Sequence, residues 1–145
     1  MPSWINVGLQ VAALTAATVM RFLHPGWLAI IFVFSVIGPL LVFGHALLAV
    51  RSLDLPHLPA SLAVPFLLSA ASLVAANLLL TDMDDGRDYP SPLETIVGPV
   101  PDTTGLGAMM LLVWCGALLW ATIVLDLKKT EFRRTTGQGP VGSPA

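Results

Sequence analysis

Four runs of mostly apolar residues divide the chain, at 4–24, 27–50, 60–80 and 104–127. A transmembrane helix needs about 20 predominantly apolar residues, at ~1.5 Å each, to cross ~30 Å of hydrocarbon. The first run, WINVGLQVAALTAATVMRFLH, is not apolar all round. Placed at about 100° per residue, Asn6, Gln10, Ala13, Ala17, Arg21 and His24 fall on one side. Leu9, Val11, Leu14, Val19, Phe22 and Leu23 cover much of the rest. A polar and small stripe on a membrane helix belongs against protein or water, not lipid. The other three runs are expected to supply the surface it packs against.

Each of those runs has its own stripe. In the second, Gly38, His45 and Ala49 share a face, and Gly38-Pro39 removes a backbone hydrogen bond, which predicts a kinked helix. In the third, Pro65, Ser69, Ser72 and Ala76 share a face, with Asn77 near the far end. In the fourth, Gly105, Ala108, Cys115, Gly116 and Thr122 form the small stripe, and Trp114, roughly opposite, is expected to face lipid. Small residues let membrane helices approach closely, so Gly38, Ser69, Ser72, Ala76, Gly105 and Gly116 are the expected packing positions.

The connections are short, with one exception. His24-Pro25-Gly26-Trp27 is a tight turn, with Trp27 at interfacial depth. RSLDLPHLP at 51–59 is a brief polar link. Residues 81–103 form the long loop, with Asp82, Asp84, Asp85, Asp88, Glu94 and Asp102 against one Arg87. Residues 128–145 start basic and become GQGPVGSPA, too poor in apolar residues to order themselves. The expected fold is all-α: a polytopic membrane protein with four transmembrane helices in an antiparallel bundle over 1–127, and a cytoplasmic tail at 128–145.

Arg51, Lys128, Lys129, Arg133 and Arg134 flank one side of such a bundle, and Arg87 stands alone in the loops of the other. The positive-inside rule then puts both termini in the cytoplasm and the acidic loop outside. The first run lacks a basic segment before it and a cleavage site after it, so it is expected to be retained. Only 11% of the 145 residues are charged, against about 25% in soluble domains, and mean hydropathy is +0.80. The formal charge of -2 argues against nucleic acid, which needs a basic patch. The single Cys115 excludes an internal disulfide and a paired-cysteine metal site.

Candidate chemistry is sparse. The polar intramembrane residues are Asn6, Gln10, Arg21, His24, His45 and Asn77. A charge inside a span is a functional candidate by default. Arg21 lies about one turn from the end of its span. It can snorkel to the headgroups or pair with Asp82 or Asp84, tying the first hairpin to the third span. His24 and Met20 have copper-ligand spacing but lack a third ligand. His45 lacks the second buried histidine that bis-histidine haem ligation needs, and is expected to bond across helices. Asn6 and Gln10 read as helix glue, each bond contributing about 0.6–2 kcal/mol. The Asp82–Asp88 run begins like a calcium loop and then loses the spacing.

There is no G-x-S-x-G, H-E-x-x-H, P-loop or cysteine pair. The embedded carboxylate of small multidrug transporters and the paired cysteines of quinone-reducing four-helix enzymes are also missing. No catalytic residue, cofactor or metal is expected. The function expected is a small non-enzymatic integral membrane protein. It would be an accessory or scaffold subunit whose partners are the lipid bilayer and other membrane subunits or itself. Two alternatives stand beside it: a carrier or channel lined by the polar intramembrane residues, and a sensor reading an external signal through the acidic loop.

Overall fold

Helix α1 (Ser3–Leu23) buries Ser3, Asn6, Gln10, Ala13 and Ala17. Those positions recur every three or four residues, so one stripe is covered while Val11, Val19 and Phe22 stay exposed. The computed structural model describes residues 1–23, 26–84 and 87–135, without the side chains of Leu28 and of 83–88. His24, the carboxylate of Asp84 and the tail beyond 135 therefore lie outside the described residues.

The 27–50 run forms two helices instead of one kinked helix. Helix α2 (Trp27–Phe34) stops at Ser35, whose backbone is extended, and α3 (Ile37–Arg51) restarts after Val36. Pro39 falls in the first turn of α3, where the missing N–H has no partner to lose. It therefore helps start a helix and does not bend one. Gly38 makes the close junction of the two helices possible. A Cβ there would come within 2.0 Å of the Phe32 carbonyl oxygen, so only glycine lets the two segments meet this closely. At 8 residues α2 is roughly 12 Å long, too short to cross a bilayer by itself.

Helix α4 (Ala60–Leu79) is the central element. It buries residues on both sides, from Leu62 and Phe66 to Leu73 and Ala76, and packs most extensively against α6 and then α1. Helix α6 (Thr103–Thr135) has 33 residues, roughly 50 Å, which exceeds the hydrocarbon thickness. It carries the basic segment after 127 as helix, where a tail is expected.

Two corrections concern α6. Its packed face is Thr103, Gly107, Trp114, Ala117, Ala121 and Leu125. Trp114 is only 2% exposed, so it does not face lipid. Gly105 and Gly116 lie on the outer surface, and a Cβ added at Gly116 would meet nothing within 4 Å. The close approach is at Gly107 instead, where a Cβ would come within 2.9 Å of the Leu80 backbone nitrogen. The wheel is shifted because the indole N–H finds a buried partner, which draws the large residue inward and turns the small stripe out.

The long loop has structure of its own. Strands β1 (Asp82–Asp84) and β2 (Arg87–Tyr89) pair antiparallel, with Asp82 opposite Tyr89. Helix α5 (Pro92–Val97) follows, started by a capping box between Ser91 and Glu94, with Pro92 in its first turn. At the other end, Leu58 N–H donates to the Met1 carbonyl at 2.8 Å, and Pro2 bridges His57. The start of the chain is thereby fastened to the 51–59 link.

Ser3–Leu23, Ile37–Asp54, Ala60–Leu79 and Thr103–Thr135 are each long and apolar enough to cross a membrane. Together with a surface on which Phe34, Val36 and Leu112 are 83%, 82% and 74% exposed, they point to a multi-pass membrane protein.

Candidate functional site: a buried polar chain and an arginine-ended cavity

One chain of hydrogen bonds joins all four long helices. Trp114 Nε1 donates to His45 Nδ1 at 3.0 Å. His45 Nε2 lies 2.7 Å from Gln10 Oε1. Gln10 Nε2 donates to Asn6 Oδ1 at 3.1 Å and to the Phe66 carbonyl at 3.0 Å. Asn6 Nδ2 donates to Ser52 Oγ at 3.1 Å, and Ser52 Oγ donates to the Ala49 carbonyl at 2.6 Å. Ser69 Oγ lies 3.3 Å from Gln10 Oε1. Ser3 Oγ donates to the Leu55 carbonyl nearby.

The direction of every proton follows from the two ends of this chain. An indole N–H only donates, so His45 Nδ1 must accept and the ring is the neutral Nε2–H tautomer. Its Nε2–H then donates to Gln10 Oε1. The Phe66 carbonyl only accepts, which independently puts the Gln10 nitrogen on that side. Gln10 uses both amide hydrogens and accepts from His45, and the one Ser69 hydroxyl hydrogen is shared between Gln10 Oε1 and the closer Phe66 carbonyl, 2.9 Å away. Asn6, Gln10, His45 and Ser69 are fully buried, and among the described residues no buried side-chain polar atom lacks a partner. Half-satisfied buried polar networks are costly, whereas a saturated one fixes a single helix register.

Arg21 and Asn77 belong to a second cluster. Arg21 Nε donates to Asn77 Oδ1 at 3.1 Å, Nη1 reaches Asp82 Oδ2 at 3.4 Å, and Nη2 donates to the Leu80 carbonyl at 3.3 Å. The side chains of Arg21 and Asp82 are 15% and 1% exposed. The end of α1 is thus held to the end of α4 and the first residue of β1.

Between the two clusters lies a cavity of about 210 Å3. Its walls come from α1, α2, α3, α4 and α6, among them Leu14, Val42, Leu73 and Leu111. Trp114 faces it from the polar-chain side and Arg21 stands at its polar end. Away from Arg21 the lining offers little to water, which needs two to four polar partners.

Of the residues singled out from sequence, Asn6, Gln10, His45 and Ser69 come together, as do Arg21, Asn77 and Asp82. Ser72 stays apart, bonding back to the Leu68 carbonyl at 2.6 Å. Ser52 and Trp114 complete the polar chain without having been anticipated. The available signal for Trp114 is spacing: Gly107, Trp114, Ala117 and Ala121 fall on one helix face. Among the described residues no three His, Cys, Asp or Glu gather as a metal site would require. Comparisons with protein-family models, curated proteins and solved structures find no match.

Proposed function

We propose that this chain is a non-enzymatic accessory or scaffold subunit of a membrane assembly, or a homo-oligomer, crossing the cell membrane as an antiparallel four-helix bundle with both termini cytoplasmic. The observation that carries this reading is the saturation of the Trp114–His45–Gln10–Asn6 chain. A carrier or proton path needs polar groups that present themselves to a solute. Here those groups are fully buried and engaged with one another.

Alternation of the helices is supported by which residues meet. Gln10 meets Phe66 and Arg21 meets Asn77, so α1 and α4 ascend together. Asn6 meets Ser52 and Gln10 meets His45, so α3 runs against them. The outward small face of α6, with Gly116 open, supports a partner helix, since small residues are what membrane helices use for close approach. Beyond the hydrocarbon, α6 is braced by ion pairs of Arg51 with Asp126 and of Lys129 with Asp54.

Affinity purification from native membranes in mild detergent tests this. The wild-type chain is expected to bring a second membrane subunit or a second copy. Gly116→Leu is expected to lose it while the isolated chain keeps its thermal stability. Recovery of a bare monomer from wild-type membranes would overturn the scaffold reading. Loss of a solute flux on Asn6→Leu with Gln10→Leu, in chains that still associate, would favour a carrier.

A further inference from the structure

We propose that the cavity ending at Arg21 holds one acyl chain of a bilayer phospholipid, with an ester carbonyl of that lipid accepting a hydrogen bond from the Arg21 guanidinium. The proposal rests on the membrane-spanning reading and not on the accessory-subunit one.

The cavity's shape and chemistry give the ligand class. About 210 Å3 of space is walled by aliphatic side chains such as Leu14, Val42, Leu73 and Leu111. Its rim includes Phe22, Phe32 and Val33, which are 71%, 41% and 51% exposed. The space therefore opens sideways onto the apolar surface that faces lipid. An apolar void opening onto a bilayer gains dispersion contacts when a chain enters and loses them when it stands empty. Water gains little there for want of partners.

Arg21 defines the head. A guanidinium carries five N–H donors. Among the described residues Asn77, Asp82 and the Leu80 carbonyl take three, which leaves one on each terminal nitrogen. The charge is already opposed by Asp82, whose side chain is 1% exposed. A second full negative charge would compete with that carboxylate, whereas a neutral carbonyl oxygen adds a hydrogen bond and leaves the pair intact. The level fits as well, because glycerol ester carbonyls sit between hydrocarbon and headgroups, and Arg21 is in the last turn of its span.

Trp114 lines the cavity and is the natural reporter. The other tryptophans, Trp4, Trp27 and Trp120, are 71%, 44% and 44% exposed and can be replaced by phenylalanine. The single-tryptophan protein is reconstituted in phosphatidylcholine vesicles whose acyl chains are dibrominated mid-chain, and in unbrominated ones. Trp114 emission is expected to be quenched in the brominated vesicles. Val42→Phe from α3 and Ala29→Leu from α2, which fill the cavity from different walls, are each expected to abolish the quenching. Two fillers guard against one misfolding.

Ether-linked phosphatidylcholine lacks the ester carbonyl and is expected to displace the brominated lipid roughly tenfold less well than the ester form. Quenching that persists in both filled proteins, equal competition by ether and ester lipids, or quenching only by a brominated free fatty acid in detergent would each overturn the proposal. Flotation with the vesicles separates the two readings. Protein that floats with Trp114 unquenched refutes the lipid site alone, and protein that fails to float refutes the membrane reading with it.

Discussion

Gln10 sits where α1, α3 and α4 meet, and its amide has one workable orientation. The Phe66 carbonyl demands a donor and the His45 Nε2–H demands an acceptor. Nitrogen NMR of His45 should therefore show a protonated Nε2 and an unprotonated Nδ1; the opposite tautomer would break the donor assignment along the whole chain. Trp114→Phe removes the indole donor and leaves His45 Nδ1 buried without a partner, at a cost of about 1–3 kcal/mol in thermal or denaturant stability. At the other end of the cavity, Arg21→Ala and Asp82→Ala should be non-additive. A double-mutant cycle is expected to return roughly 0.5–3 kcal/mol of coupling, as contacting residues do, and strict additivity would leave Arg21 as a snorkelling anchor. Asn6, Gln10 and His45 are legible as inward-facing because their polarity contrasts with the span around them. Trp114 is not, because an indole suits lipid as readily as core, and what turns it inward is a histidine 69 residues away.

Elements follow the sequence where periodicity sets the face and depart from it where backbone chemistry or a distant neighbour decides. The stripe on α1 is read from spacing alone. The break after α2 is harder, since Gly38-Pro39 suits a kink and a fresh helix start equally; the close approach of Phe32 selects the start. On α6 the small residues mislead, and glycine scanning separates the faces. Gly107→Ala should destabilise the chain, because its Cβ would press on the Leu80 backbone. Gly116→Ala should be neutral or raise helix stability, by up to about 1 kcal/mol. In the loop, Ser91 to Glu94 is a recognisable capping box once helix starts are sought there. Ser91 bonds hold the Glu94 carboxyl below its usual 4.5, the backbone N–H contributing most. A carboxyl depressed on folding stabilises α5 at neutral pH and loses that effect as pH falls through its lowered value. Amide-exchange protection at Thr95 and Gly98 should fall over that window, after correction for intrinsic rates, and Glu94→Gln should remove the dependence.

At the scale of the whole molecule, charge and hydrogen bonding divide the protein into two ends with different work. One end gathers Arg51, Asp54, Asp126, Lys128 and Lys129 with the first residues of the chain, fastened through Leu58 and Leu55. The other gathers Arg21, Asn77 and Asp82 beneath the hairpin and α5. Between them the polar chain clamps the helices on one side of the apolar cavity. The overall helical plan is legible because apolar run length dominates membrane architecture. The direction of insertion depends instead on which flanks hold lysine and arginine, a comparison across the bilayer that packing alone does not make. The basic end is therefore expected in the cytoplasm. A fluorescent protein that matures only there, fused after Arg134, should be bright. The same protein inserted between Asp84 and Arg87 should be dark, and a reporter that works only outside the cytoplasm should be active at that position. Inversion of all three signals would reverse the molecule in the membrane and place the Arg21 cluster, with its cavity, at the cytoplasmic leaflet.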